Sequence, residues 1–401
     1  MPDFDQPFDP ARSRSEKWDR DALTRTFGSD EVLPFWIADM DFSPSPAITK
    51  RLSQRVDQGT FAYETKPLSL INAVLRWNAS RHDWTIDASD VRLTAGTMYS
   101  ITQLLALFTN ELDGVIIQPP VYFQFQHAIQ GSGRTVVPNP LRLANGRYEM
   151  DLDDLEEKAA DPSTKVLLLC NPHNPVGRVW NRDELQHVAD ICLRHEVLVI
   201  SDEVHGDFVF SNHTYTPFLS LSHDATENAV SCLSPAKPFN IPAIASSISI
   251  IPNQSLRNLF DRQTNNLMLN HIHALSCVAT EAAYGEMSEA PNATQWLDAA
   301  IGYVEKNADF LCKSIKDRIP GVDVITPEGT FLAWLDFRQL GLSVDPLDAF
   351  LANDAKIALK AGHFFGPSGE GFCRMSIGCS RALLEEAVER LEKAIGTLGL
   401  S

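Results

Sequence analysis

The 401-residue chain is 44% hydrophobic and 21% charged, the balance of a soluble globular protein, and it is too long for one ordinary compact core, so two domains are expected. Its 34 Lys and Arg stand against 52 Asp and Glu, a formal charge of -18 that argues against a nucleic-acid or anionic-membrane surface. The seven cysteines are scattered, mostly in apolar segments, with no C-x-x-C pair, which suits reduced core thiols rather than a disulfide set or a zinc motif.

The opening residues, MPDFDQPFDPARSRSEKW, are acidic and proline-rich where a secretion signal needs a basic end and an apolar stretch, and no apolar run reaches the roughly 18 residues that span a bilayer. A cytoplasmic protein is expected. The first fifty or so residues show no long periodic element and read as an arm packed on the rest. From residue 91 the pattern becomes strand alternating with helix. VRLTAG, GVIIQPP, KVLLLCNP, VLVISDE and AVSCLS are short apolar runs, each ended by Gly, Pro, Asn or Asp, as strands buried on both faces should be. Between two of them, NRDELQHVADICLRHE repeats Leu185, Val188, Ala189 and Cys192 at helical spacing behind an Asn181–Glu184 capping box. An α/β fold with a largely parallel sheet follows. NLMLNHIHALSCVATEAAYG reads as helix; His271 and His273 lack a third ligand nearby, and no metal site is expected. After Tyr284 come a long amphipathic helix over residues 292–319, strands in GTFLAWLDF and GFCRMSIG, and a closing helix behind an N-cap at Ser380, the outline of a smaller α+β domain.

Ligands of open α/β sheets sit outside the carboxyl ends of the strands, so the polar residues that follow the apolar runs carry the chemistry. Lys237, in SPAKPFN, lies between Pro235 and Pro238, which forbid a helix and stiffen the turn; a partly desolvated amine there can attack a carbonyl, although strand ends also carry ordinary surface lysines. Asp202 follows VLVIS and can hold a protonated ring nitrogen, or serve as a loop or cap acid. Asn174, in a loop constrained by Pro172, Pro175 and Gly177, can donate to a phenolate oxygen, or mark a plain turn. Gly96, Thr97 and Met98 in TAGTMYS can offer backbone N–H groups to a phosphate at a helix start. Tyr122 can stack on a ring or belong to the core. Arg374, inside an apolar strand, needs a carboxylate, either a substrate's or an internal one.

Taken in order, the glycine turn, the aromatic, NPHNPVG, SDEVH, SPAKPFN and a late strand arginine resemble the fold-type I pyridoxal-phosphate enzymes, the aminotransferase class I and II superfamily, over nearly the full chain. Within it, LPFWIADMDF, NPHNPVGRVW, SDEVHGDFVF, KPFNIP and GCSRALLEEAVERL resemble the cystathionine β-lyase branch of MalY/PatB-like carbon–sulfur lyases. That resemblance implies a mainly parallel seven-stranded sheet in a large domain (residues 49–288), a small α+β domain (residues 289–401) and an arm (residues 1–48) belonging to the small domain. It implies that Lys237 holds pyridoxal 5'-phosphate covalently, that Asp202 pairs with its ring nitrogen, that Asn174 approaches the ring hydroxyl, and that Tyr122 stacks on the ring. Ser234, Gly96, Thr97 and Met98 would bind phosphate, and Tyr63 would reach the phosphate of the partner subunit in a homodimer. Arg374 would grip the substrate carboxylate opposite the backbone near Ala38, with Tyr122 and Asn174 also against the substrate. Two departures from many aminotransferases, His205 in place of a tyrosine near the cofactor and Ala245 in place of a phosphate-binding arginine, fit the lyase branch; the second leaves the phosphate without an identified cationic partner. The implied reaction is β-elimination from L-cystathionine or another S-substituted cysteine to a thiol, pyruvate and ammonia. The runner-up is transamination, and a binding or regulatory role on the same scaffold is the third reading.

Overall fold

The computed structural model describes residues 3–6, 9, 13–269, 273–285 and 292–398. A seven-stranded sheet runs in the spatial order Val91–Thr94, Ser247–Ile250, Ala229–Leu233, Leu198–Asp202, Thr164–Cys170, Gly114–Ile117 and Thr135–Pro138. Ser247–Ile250 is antiparallel to both of its neighbours, and all other pairs are parallel. The strands expected from the apolar runs are all present. The two added strands are those whose composition hides them: Ser247–Ile250 alternates Ser with Ile, and Thr135–Pro138 is an exposed edge closed by a proline.

Helices cover both faces. Asn181 accepts from the Glu184 N–H and Glu184 accepts from the Asn181 N–H, the capping box that starts Arg182–Arg194. Leu185, Val188, Ala189, Ile191 and Cys192 are buried on its inner side, each fully buried Val, Leu or Ile contributing about 1.5–3 kcal/mol. The stretch expected as one helix around His271 is interrupted: Gln254–Asn266 ends before Met268, whose φ is +56°, and Ala274–Tyr284 starts afresh with His273 as its N-cap, while His271 lies outside the described residues.

A second sheet, antiparallel, is ordered Asp323–Ile325, Leu332–Asp336, Phe372–Ser376, Lys360–Ala361, and it packs beside the helices Ala293–Arg318 and Arg381–Gly396. The arm is more ordered than its sequence suggests. It contains the helix Arg20–Phe27, capped by Asp19 and closed by Gly28 in the left-handed conformation, and the two-residue strand Leu33–Pro34, which pairs in parallel with Ile357–Ala358. The helix Pro46–Asp57 runs across position 48, and position 288 is outside the described residues. No described helix is long and apolar enough to cross a membrane.

Candidate active site

Cys170, Asp202 and Cys232 are neighbours in register at the carboxyl edge of the large sheet, so the loops that follow three parallel strands open together. Between that edge and the strand Phe372–Ser376 lies a cavity of ≈ 530 Å³. Gly96, Thr97, Met98, Tyr122, Asn174, Asp202, His205, Ser234, Lys237, Arg374 and Ala38 all line it. Tyr63 does not: it is 94% exposed, on an irregular stretch outside the cavity of the single chain.

The loop carrying Lys237 is held by its own chain. The Ser234 hydroxyl donates to the Ser246 carbonyl at 2.7 Å and accepts from the Ala236 N–H at 3.1 Å, and the Ile241 N–H returns to the Ala236 carbonyl at 2.9 Å. Asn240, in the left-handed region at φ +54°, accepts from the Met40 N–H and donates to the carbonyls of Met40 and Phe42. Lys237 Nζ therefore has a fixed root, and it donates to the Ala38 carbonyl at 2.6 Å. Burial lowers its pKa to about 8, the Arg374 charge pushes the same way, and Asp39 and Asp202 oppose both.

Asp202 is buried and, among the described residues, its carboxylate accepts a single hydrogen bond, from the Val204 N–H at 3.3 Å. Burial raises its pKa to about 7, with Glu203 adding and Lys237 subtracting. His205 is buried with its ring edge against Phe331; burial, reinforced by Lys237 and Arg374, depresses it to about 3, so it is neutral, and its Nδ1 has no partner among the described residues. Tyr122 packs edge-on against Phe123 and Phe125 while bordering the cavity.

Arg374 is buried on its strand. Nη1 donates to Asn174 Oδ1 at 3.2 Å, Nη2 donates to the Trp36 carbonyl at 3.1 Å, and Nε has no acceptor among the described residues. No carboxylate among the described residues is within ion-pair distance, so the internal Arg–carboxylate pair is absent and the guanidinium is desolvated, its pKa lowered to about 10 chiefly by burial. Gly96 is the N-cap of the helix Thr97–Phe108 and provides no side-chain cap; its surroundings would admit a Cβ without contact, which leaves room for a group at the unpaired N–H groups of the first turn.

The donor set fits pyridoxal phosphate. An unpaired buried carboxylate suits a protonated ring nitrogen, a helix start suits a phosphate, and a lysine of lowered pKa suits an aldehyde. Ala245 lines the cavity beside Ser246, and the helix N–H groups are what the site presents to an anion there.

Several residues of the site have no sequence signal of their own. Glu203, next to Asp202, is buried and accepts from the Tyr215 hydroxyl, the Phe218 N–H, Ser201 Oγ and Asn171 Nδ2. Lys17 is buried and ion-pairs with Asp41 at 3.0 Å and Asp39 at 3.6 Å, tying the arm to the segment that carries Ala38. Trp36 and Lys360 complete the cavity wall.

The family model of aminotransferase class I and II matches residues 30–391. The chain belongs to the aminotransferase class I and II family. This family member is 37% identical over 392 residues to cystathionine beta-lyase PatB of Bacillus subtilis, covering 98% of this chain and 99% of that protein. It is 34% identical over 397 residues to protein MalY of Escherichia coli, with the same coverage. The crystal structure of cystalysin from Treponema denticola, which contains a pyridoxal 5'-phosphate cofactor, superposes with a TM-score of 0.93 at 31% identity, covering 99% of this chain and all of that one, so the two share the α/β fold.

Proposed function

We propose that this aminotransferase-family chain is a pyridoxal-phosphate-dependent carbon–sulfur β-lyase acting on L-cystathionine or a related S-substituted cysteine. The observation that carries the reading is the meeting of four groups on one cavity: an amine near pKa 8, an unpaired buried carboxylate, an uncapped helix start and a buried guanidinium with a vacant Nε. Similarity to cystathionine beta-lyase PatB favours the lyase over its transaminase relatives.

Bound there, the cofactor would draw electrons away from the substrate α-carbon. Lys237 would hold it and, once displaced by the substrate amine, take the α-proton at Nζ; with a pKa near 8 the free base is substantially present at neutral to mildly alkaline pH. Asp202 would keep the ring nitrogen protonated, Asn174 would donate to the ring oxygen, Tyr122 would cover one face of the ring, and neutral His205 would lie beside it. Arg374 would fork onto the α-carboxylate, with the carbonyls of Trp36 and Ala38 closing the other wall. Loss of the thiol from the β-carbon and addition of water to the remaining three-carbon unit give pyruvate and ammonia. Tyr63, exposed in the single chain, would complete the phosphate site of a second subunit, and seven free cysteines support a reducing, cytoplasmic setting.

The test is to incubate purified holoenzyme with L-cystathionine and assay thiol and pyruvate without added keto acid. Release of both supports the lyase. A strict requirement for a keto-acid acceptor would transfer the protein to the transaminases. Sedimentation at micromolar concentration should show a dimer, and Tyr63→Phe should weaken cofactor retention; a monomer with full activity would refute the shared site.

A further inference from the structure

A second cavity of ≈ 460 Å³ adjoins the first, and Trp36 and Lys360 border both. Its size falls in the roughly 300–1,000 Å³ range of small-molecule sites. Lys360 stands directly across the antiparallel pair from Arg374, so the side chain that would follow the α-carboxylate anchor outward is a second cation. Lys360 Nζ lies 3.7 Å from the Phe364 ring centroid and 4.9 Å from that of Phe123, and among the described residues it has no carboxylate partner. Half-burial and the neighbouring Arg374 charge lower its pKa, and Asp348 acts against them.

Asp348 borders the second cavity from the helix Val344–Asn353. It too is half-buried, and among the described residues it accepts no hydrogen bond and forms no ion pair; burial raises its pKa, Asp345 adds to that, and His363 and Lys360 oppose it. A desolvated cation and a desolvated anion that face one cavity, sense each other and yet remain apart are complementary to a ligand bearing both charges. A plain S-alkyl group offers neither.

Resting on the lyase reading, we propose that this second cavity receives the sulfur substituent of the substrate, and that Lys360 and Asp348 select a substituent ending in an α-amino acid, Lys360 taking its carboxylate and Asp348 its ammonium. The substrate class is then a thioether with an amino acid at each end, and a simple S-alkyl cysteine is a poorer substrate because it leaves both charges unmet.

The experiment compares kcat/KM for L-cystathionine and for S-ethyl-L-cysteine on wild-type, Lys360→Gln and Asp348→Asn holoenzymes. Each substitution should lower the ratio of the two values by about tenfold, the loss of one charge-assisted hydrogen bond. A ratio that stays within twofold of wild type overturns the subsite, whether both substrates are unaffected or both lose equally, the latter showing that Lys360 acts only through Arg374. Should the wild type cleave neither substrate, the lyase reading fails by itself; spectrophotometric titration of the cofactor band with L-cystathionine then decides the subsite, about tenfold weaker binding in Lys360→Gln supporting it and an unchanged Kd overturning it.

Discussion

Arg374→Lys separates a carboxylate fork from a mere positive charge. In the wild type, Nη1 and Nη2 donate to neutral oxygens of Asn174 and Trp36, and Nε has no acceptor among the described residues, so the guanidinium plane is fixed while one donor is left for the carboxylate proposed to bind there. Lysine keeps the charge but presents a single flexible ammonium, and at least one charge-assisted hydrogen bond disappears, worth about 1.5–3 kcal/mol. At about 1.4 kcal/mol per decade, kcat/KM for L-cystathionine should fall roughly ten- to 150-fold. The contact exists in the bound substrate as well as in the transition state, so the loss should fall mainly on KM. The assay is pyruvate release by purified holoenzyme, with thermal midpoint and visible cofactor absorption recorded for both proteins. A variant that retains the cofactor and the fold, yet shows kcat/KM within threefold of wild type, would refute the placing of the substrate carboxylate at Arg374.

Lys237→Ala should abolish the visible absorption of the bound cofactor and depress turnover by about 10² or more; an unchanged spectrum would remove the covalent link from the scheme. Because burial disfavours the ammonium form and brings the pKa to about 8, the reactive free amine accumulates above that pH, so stopped-flow incorporation of pyridoxal phosphate into apo-protein should accelerate through pH 8 and level off near pH 9, whereas an ordinary lysine would still be gaining at pH 10. Asp202→Asn should keep the cofactor but lose about 10² in kcat, since the ring nitrogen no longer has an anionic partner; full activity would sink the pairing. Glu203→Leu leaves Tyr215, Phe218 and Ser201 as buried donors without an acceptor, at about 1 kcal/mol or more each, and leaves Asn171 Nδ2 only the Thr216 carbonyl, so the urea midpoint should drop sharply or the protein become insoluble, and an unaltered midpoint would contradict the network.

Asp202, Asn174 and Lys237 are legible in the sequence because a strand buried on both faces is an almost uninterrupted apolar run, and the polar residues that follow it mark the edge where ligands gather. Arg374 was visible for the opposite reason, a guanidinium in the middle of such a run, but only the fold distinguishes a vacant fork from an internal ion pair. Ser247–Ile250 has no sequence signal, because a strand whose alternate positions are small buried serines has no hydrophobic contrast with a loop. Glu203 has no sequence signal because its donors come from positions as far away as Asn171 and Phe218, a tertiary convergence with no local pattern. Lys17 and Lys360 are equally silent in one dimension, since the arm brings the first to Asp41 and cross-strand pairing brings the second to Arg374.

The short stretch from Phe35 to Phe42 touches both halves of the chemistry. On one side the Ser376 N–H donates to the Phe35 carbonyl, the Asp41 N–H donates to the Gly378 carbonyl, and Ser376 Oγ donates to the Asp39 carbonyl, fastening it to the strand of Arg374. On the other, Asn240 grips Met40 and Phe42 three residues beyond Lys237. It works as a calliper: the gap between Lys237 and Arg374 is gauged by eight residues of main chain, so on the roles proposed above a swing of either sheet that broke this gauge would misalign both ends of the amino acid at once.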